Sequence, residues 1–361
     1  MCASGIPSFI RILPLCAMLV SASHAELASR ALAPYEEDAE RSIQKGLAYL
    51  ASAQEEDGSF PHVYGKNSAV VGLVAMAFLS KGHAPGLEPY GDVINSCIDF
   101  CLDKQQDNGY MGLVGGGGMY AHNITTLLLL EVSGMVDPER QARLDEAIPK
   151  AVKIILSAQQ VNKEPRHRGG WRYATDSKDS DLSCSGWAVM ALRSARLNGA
   201  QIPDESINQA VEYLMKNRST ETGQFGYQSP AGHPLTLTGA GLLCMELCGY
   251  HGEPETYQAG EYLLRVHEEL PRQSHFVYGL YYTAQASFQL GGKYWDTIGS
   301  WMYEFWIPHQ QEDGSWNVSG SLFDKWKNKP IVYDTAMTIL SFTVPYRQLP
   351  IYQRDETVDE E

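Results

Sequence analysis

One phrase occurs twice, near opposite ends of the chain: Gln54-Glu55-Glu56-Asp57-Gly58-Ser59-Phe60 and Gln310-Gln311-Glu312-Asp313-Gly314-Ser315-Trp316. Looser copies lie between them, at Gln106-Asp107-Asn108-Gly109-Tyr110, at Gln159 followed by Gly169-Gly170-Trp171, and at Gln224-Phe225-Gly226-Tyr227. Recurrence at a fixed spacing means that one supersecondary unit is stacked several times, because a single unit cannot bury its apolar face alone. Each phrase also has a local meaning. Asp-Gly asks for a tight turn with a left-handed residue. The glutamine can hydrogen-bond backbone at the neighbouring turn, and the aromatic can plug the gap between two layers. The phrase reads as structural glue rather than catalytic machinery.

The segments around the phrases have helical periodicity. An amphipathic helix is expected before each, over 39–53, 93–104, 144–159, 205–216 and 297–307, and 257–266 repeats the theme. A more uniformly apolar helix is expected after each, over 69–80, 124–132, 186–197, 239–248, 279–290 and 335–344. A helix apolar on every side is buried on every side. The second helix of each unit is therefore an inner helix, and the first an outer helix with one wet face. Gly82, Gly134, Gly199, Gly249 and Gly291 follow five of the inner helices, where glycine supplies a left-handed cap, and Pro345 stops the sixth. Six outer–inner pairs make an all-α repeat domain that is either an open solenoid or a closed ring.

At the N-terminus, Arg11, an apolar run over 12–20 and the small residues Ser23 and Ala25 come in the order of a secretory signal peptide cut after Ala25. The expected organisation is a signal over 1–25, a repeat domain over 26–350 and an acidic tail over 351–361. Export, periplasmic or extracellular, follows from that reading. The net charge of -15 makes nucleic acid and anionic lipid poor partners. No segment of the repeat domain is apolar for long enough to suggest stable membrane insertion. Five cysteines would remain after cleavage: Cys97, Cys101, Cys184, Cys244 and Cys248. Small apolar packing residues are the simplest reading, with a disulfide or a metal as the alternatives.

Gln310 to Trp316 resembles the glutamine–tryptophan repeat of squalene cyclases and of protein prenyltransferase β subunits. Gly169-Gly170-Trp171-Arg172-Tyr173, with Ser185-Gly186-Trp187 downstream, resembles exported bacterial proteins carrying that repeat. The resemblance covers essentially the whole mature chain. It implies an α/α toroid of about six outer–inner pairs, closed where the first and last units meet, with a central cavity for an apolar or isoprenoid-like small molecule. Terpene cyclases of class II carry Asp-x-Asp-Asp-Thr-Ala, whose central aspartic acid protonates an alkene. Asp179-Ser180-Asp181-Leu182-Ser183-Cys184 is the nearest match here, with Leu182 in place of the second paired acid. Prenyltransferases bind zinc through Asp and Cys two apart plus a His. Asp181 and Cys184 are three apart, so neither a metal nor any other cofactor is expected.

In such a ring the starts of the inner helices surround one mouth of the cavity. The candidate acid group is Asp179, Asp181 and Asp334. Asp334 stands where other units place Cys184, Leu237 and Val277, and a carboxylate that breaks the repeat's rule often marks a site. The candidate ligand-binding residues are His122, His233 and His275 at helix starts, with the inner-helix aromatics Trp187, Tyr278 and Tyr282. Helix capping is the competing role for the acids. Arg166, His167, Arg168 and Arg172 form a basic cluster that either holds an anion or pairs with Asp176 and Asp179. Four functions are compatible with these residues: a ligand-binding toroid, a terpene-cyclase-like enzyme, a carbohydrate-active enzyme using carboxylates across a groove, or an interaction scaffold whose protein partner is undefined.

Overall fold

The structure, a computed structural model, describes residues 30–61, 66–112, 117–317 and 332–352. The expected signal peptide and residues 353–361 of the expected tail lie outside the described residues. Among the described residues, twelve α-helices alternate between an outer and an inner layer. The outer helices are α1 (Glu36–Ser52), α3 (Gly91–Asp103), α5 (Pro138–Gln159), α7 (Asp204–Lys216), α9 (Pro254–Val266) and α11 (Gly292–Trp306). The inner helices are α2 (Ser68–Ser80), α4 (Met119–Glu131), α6 (Leu182–Leu197), α8 (Pro234–Leu247), α10 (Phe276–Leu290) and α12 (Val332–Phe342). Among the described residues the only β-pairing is three isolated bridges.

Each inner helix packs on the next, α2 on α4 and onward to α12, and α12 packs back on α2. The ring is therefore closed, as the near-identity of the first and last phrases implies. Every side chain of α2 is buried, whereas α1 buries only Ala39, Ser42, Ile43, Gly46, Leu47 and Leu50 along one stripe. That contrast is the sequence pattern made physical. The five glycines that follow inner helices all have positive φ, from 69° at Gly291 to 94° at Gly82. Inner helices begin earlier than periodicity places them. The first turn of α6, for example, is set by the Asp181 side chain, whose Oδ1 accepts the Cys184 amide at 2.8 Å.

The repeated phrase works as a clamp. Gln54 Nε2 donates to Gly58 O at 3.3 Å within its own turn and to Val93 O of the next outer helix at 3.0 Å. Gln159 does the same to Gly169 O and Ser206 O at 3.0 and 2.8 Å. Gln310 closes the circle by donating to Gly314 O at 2.8 Å and to Ser42 O of α1 at 2.7 Å. In the second unit the clamp is Gln105, bonded to Gly109 O and Ala147 O, and not Gln106, whose backbone forms the turn. In the fourth unit Gln224 is not a clamp either. Its amide stays in the local loop on Pro230 O, and Arg218 reaches the next outer helix through Gln258. Gly314 shows why the turn needs glycine. Its φ is 92°, and a Cβ there would collide with the Lys45 carbonyl of α1.

The aromatics plug the two layers as expected. Trp171, Phe225 and Trp316 are buried. Their backbone amides are held by inner-helix hydroxyls, Trp171 N on Ser185 Oγ at 2.9 Å, Phe225 N on Thr238 Oγ1 at 3.1 Å and Trp316 N on Thr335 Oγ1 at 3.0 Å.

The end of the described chain differs from the expected solvated tail. Ile351 and Tyr352 are buried in a short turn, Pro350–Tyr352, that packs on α6 at the end of the ring away from the inner-helix starts. Ile351 N donates to Glu131 Oε2 at 3.2 Å, and Ser194 Oγ lies 2.5 Å from Glu131 Oε1. The Tyr352 hydroxyl bonds to that of Tyr281, and Gln289 Nε2 donates to Tyr352 O at 3.4 Å. The ring thus has a floor made by the C-terminal segment. Burial raises the Glu131 pKa to about 7. Its place at the C-terminal end of α4, beside the negative end of the helix dipole, acts in the same direction.

Candidate functional site

The opposite mouth is where the inner helices start. Asp181, at the N-cap of α6, has no solvent-accessible side-chain surface. Oδ1 accepts the Cys184 amide at 2.8 Å and the Ser183 hydroxyl at 2.5 Å, and Oδ2 accepts Arg172 Nη1 at 2.9 Å. Burial pushes its pKa up, and these bonds with Ser183, Cys184 and Arg172 oppose that shift. Arg172 is shared. Its Nη1 also donates to the Tyr227 hydroxyl at 2.6 Å, and its Nε lies 3.2 Å from Asp179 Oδ2. The guanidinium sits over the rings of Tyr173 and Tyr227, 4.6 and 5.3 Å from their centroids. Asp179 is partly exposed and also accepts from Gln228 Nε2 at 3.2 Å. The basic cluster is thus divided: Arg172 pairs with both acids, Arg166 donates to Gln228 O, and Arg168 to Lys163 O.

Tyrosines gather around this ion pair. The hydroxyls of Tyr173 and Tyr227 bond to each other at 2.6 Å, and Tyr173 stacks on Tyr120 with centroids 5.9 Å apart. Tyr120, in the first turn of α4, lies beside Ser183 and Tyr278, and Tyr278 in turn lies beside Tyr333. Burial raises the pKa of Tyr120, Tyr278 and Tyr333, yet each keeps a solvent-accessible face. Groups that are both enclosed and wetted line a recess. Asp334 sits half-buried in the first turn of α12, and its charge acts on Tyr333. Asp181 and Asp334 are therefore brought to the same mouth, on helices that lie opposite each other in the ring.

Beneath Tyr278 the inner helices pack Tyr282 and Trp187, both almost fully buried. Tyr278 and Tyr282 have centroids 4.9 Å apart, and Tyr282 meets Trp187 edge-on at 5.5 Å. Trp187 stacks on Tyr281 at 5.8 Å with planes 9° apart. Tyr281 then bonds to Tyr352 of the floor, so recess and floor share one aromatic column. Glycine permits this crowding. The backbones of α8 and α10 approach so closely at Gly239 that a Cβ there would sit 2.6 Å from Thr283 N.

The histidines separate. His233, exposed at the start of α8 with φ 52°, stands edge-on to Tyr227 at 6.4 Å. His275 precedes α10 and is held below the usual histidine range by desolvation, then by the charge of His233. Both border the recess. His122 instead occupies the anchoring position that Ser185, Thr238 and Thr335 hold in other units. Its Nδ1 accepts the Met111 amide at 3.2 Å and its Nε2 lies 3.0 Å from Ala151 O, an arrangement suited to the neutral ring. Burial lowers its pKa to about 4. With both ring nitrogens taken by backbone, His122 is part of the glue. Tyr120, Tyr173, Tyr227 and Tyr333, absent from the sequence-based candidates, are the additional wall residues. Comparing units would have found two of them, because Tyr120 and Tyr333 stand at the register of Ser183 and Thr236.

No protein-family model matches the chain, and no curated protein matches its sequence. Solved structures do match. The type II terpene cyclase MstE from Scytonema, in complex with its substrate geranylgeranyl dihydroxybenzoate, has a TM-score of 0.57 at 13% identity, over 88% of this chain and 100% of that one. An α-1,6-mannanase from a Salegentibacter species has a TM-score of 0.63 at 8% identity, over 85% of this chain and 99% of that one. Such identities speak for the fold alone. The chain is an all-helical toroid similar in architecture to both. Among the described residues, no helix is long and apolar enough to cross a membrane.

Proposed function

We propose that the protein is an exported toroid that binds an apolar, isoprenoid-like small molecule in the tyrosine-lined recess at the inner-helix starts, without cyclising it. The observation that carries this reading is the convergence of Tyr120, Tyr173, Tyr227, Tyr278 and Tyr333 from separate units around one buried ion pair. Aromatic rings offer large apolar contact at low entropic cost, and pockets that combine them with a few fixed polar groups are the usual form of a small-molecule site. The substrate of MstE lends support by fold analogy only. Export rests on residues 1–25.

The acid group argues against alkene protonation. A proton donor must be neutral, with its O–H aimed at the substrate. Asp181 accepts three donors, one of them a guanidinium, and all three favour the anion. Asp179 is committed to the same guanidinium. Asp334, whose charge acts on Tyr333, is the third candidate acid, and the reading gives it a place at the ligand's edge. A glycosidase would need one carboxyl to donate and another to attack or activate water, and the Arg172 bond ill suits Asp181 to the donating role.

Titration with geranylgeraniol, followed by tryptophan fluorescence, tests the reading. Saturable binding is expected, and none is expected for α-1,6-mannotriose. The reverse pattern would replace the isoprenoid-like ligand with a saccharide.

A further inference from the structure

Two buried hydrogen-bonding groups beneath the recess lack a partner, the Tyr282 hydroxyl and the Trp187 indole N–H, whereas the Tyr278 hydroxyl above them is within hydrogen-bonding reach of Tyr120. Tyr282 and Trp187 are almost fully buried, at 0% and 1% exposure. The two belong to neighbouring side chains on α6 and α10, joined by the ring contact already described. Three other large polar aromatics are satisfied by backbone, and Trp295 Nε1 is a further unpaired donor, set apart on the outer helix α11. Trp171 Nε1 donates to Ile155 O at 2.7 Å, Trp316 Nε1 to Trp306 O at 3.1 Å and Tyr303 OH to Phe342 O at 2.8 Å. Buried donors left unpaired are costly, and a native structure that keeps two side by side calls for a physical reason.

Unit five supplies part of that reason. It has no copy of the repeated phrase, so its inner helix has no turn amide to anchor. By register with Gly186, Gly239 and Ala336, the residue before Gly279 is the anchoring position, and it is Tyr278. In units three, four and six the residue there is Ser185, Thr238 or Thr335, each bonded to a turn amide. A tyrosine at that register, released from anchoring, extends toward Tyr120 on the far side of the ring. Gly186 leaves space in the same layer. A Cβ there would lie 3.5 Å from the Tyr282 hydroxyl.

We infer that the bottom of the recess recognises an oxygen-bearing ligand, whose hydroxyl, ether or carbonyl oxygen enters first and accepts from Tyr282 and Trp187. The apolar remainder of that ligand lies against Tyr120, Tyr173 and Tyr227 nearer the mouth. A pure hydrocarbon would bury the same donors unpaired, so the site discriminates against it by the penalty for unmade hydrogen bonds. The inference rests on the recess being the ligand site, and it adds the ligand's chemical class and orientation.

The test uses two probes with the same isoprenoid skeleton, farnesyl methyl ether, which carries an acceptor oxygen, and β-farnesene, which carries none. Isothermal titration calorimetry on the full mature chain should show the ether binding on the order of tenfold more tightly, the effect of one or two neutral hydrogen bonds. Tyr282→Phe and Trp187→Phe keep a ring in place. Each should weaken the ether several-fold without weakening β-farnesene, which separates lost recognition from lost folding. Equal affinities for the two probes would overturn the inference while leaving an isoprenoid-binding recess in place. So would an ether preference that survives both substitutions. Failure of both probes to bind overturns the inference together with the proposed function.

Discussion

Replacing Trp316 with alanine perturbs the ring where it closes. The indole is completely buried. It donates to Trp306 O in α11, meets Phe342 of α12 edge-on at 5.6 Å, and faces Gly46 of α1. Truncating a buried aromatic of this size costs roughly 3–5 kcal/mol. A domain of this length loses about 2 °C of melting temperature per kcal/mol, so Trp316→Ala should lower the midpoint by roughly 6–10 °C. The contact with Gly46 makes a sharper test. A Cβ on Gly46 would lie 2.9 Å from Trp316 Cζ3 and 3.0 Å from Ile339 Cδ1. Gly46→Ala alone should therefore destabilise by about 1–3 kcal/mol, despite the helix preference for alanine. With Trp316 already truncated, the same change should be close to neutral. Calorimetric melting of the wild type, the two single variants and the double variant gives the coupling, expected to exceed about 1 kcal/mol. Strict additivity, or a loss below about 1 kcal/mol for Trp316→Ala, would refute the view that this plug joins the last unit to the first.

Glu131 gives a pH signature. Its folded pKa of about 7 lies above the unfolded value, so its favourable contribution is complete below the unfolded pKa, fades as pH rises, and is gone above about 7. That shift corresponds to roughly 3 kcal/mol at most, and Glu131→Gln should flatten the slope of denaturant stability between pH 5 and 8. Arg172→Ala leaves the Asp181 carboxylate buried without its cation, and should destabilise by about 3–5 kcal/mol at neutral pH, less as pH falls and Asp181 takes up a proton; a small, pH-independent loss in chemical denaturation would mean that Asp181 is neutral. His122→Ala should cost about 2–4 kcal/mol by orphaning the Met111 amide and the Ala151 carbonyl, with geranylgeraniol affinity unchanged in the fluorescence titration. Asp334→Asn should show the opposite balance, with little change in melting and altered geranylgeraniol affinity.

How much of this was legible in the chain depends on the range of the interaction. Helix order, the two layers and the caps after Gly82, Gly134, Gly199, Gly249 and Gly291 are local properties of pattern and backbone, and periodicity reports them directly. The clamp was legible in kind, because Gln54 and Gln310 share a phrase. It was not legible in detail, because Gln105 and Gln106 are adjacent and only the approach of Ala147 decides between them. The site was partly legible. Asp181, Tyr278, Tyr282 and Trp187 are recognisable as polar or aromatic groups near inner-helix starts. Whether a histidine faces the recess or the glue depends on a register offset of a few residues, and His122 falls on the anchoring side of it. The pairing of Arg172 with Asp181 bridges only nine residues, but it requires the turn between them to fold back on itself. Least legible was the floor. Ile351 and Tyr352 look like the start of a solvated tail until Glu131 and Tyr281, distant in sequence, are brought to the same end of the ring.

The central claim is that a ligand enters at the inner-helix starts. Hydrogen exchange of the protein with and without saturating geranylgeraniol tests its location directly. Protection is expected to gather in peptides covering 119–124, 172–187, 225–236, 276–283 and 332–337, with the outer helices and the 344–352 segment unaffected. Protection confined to the outer helices or to the C-terminal floor, or none at all at saturation, would contradict the account.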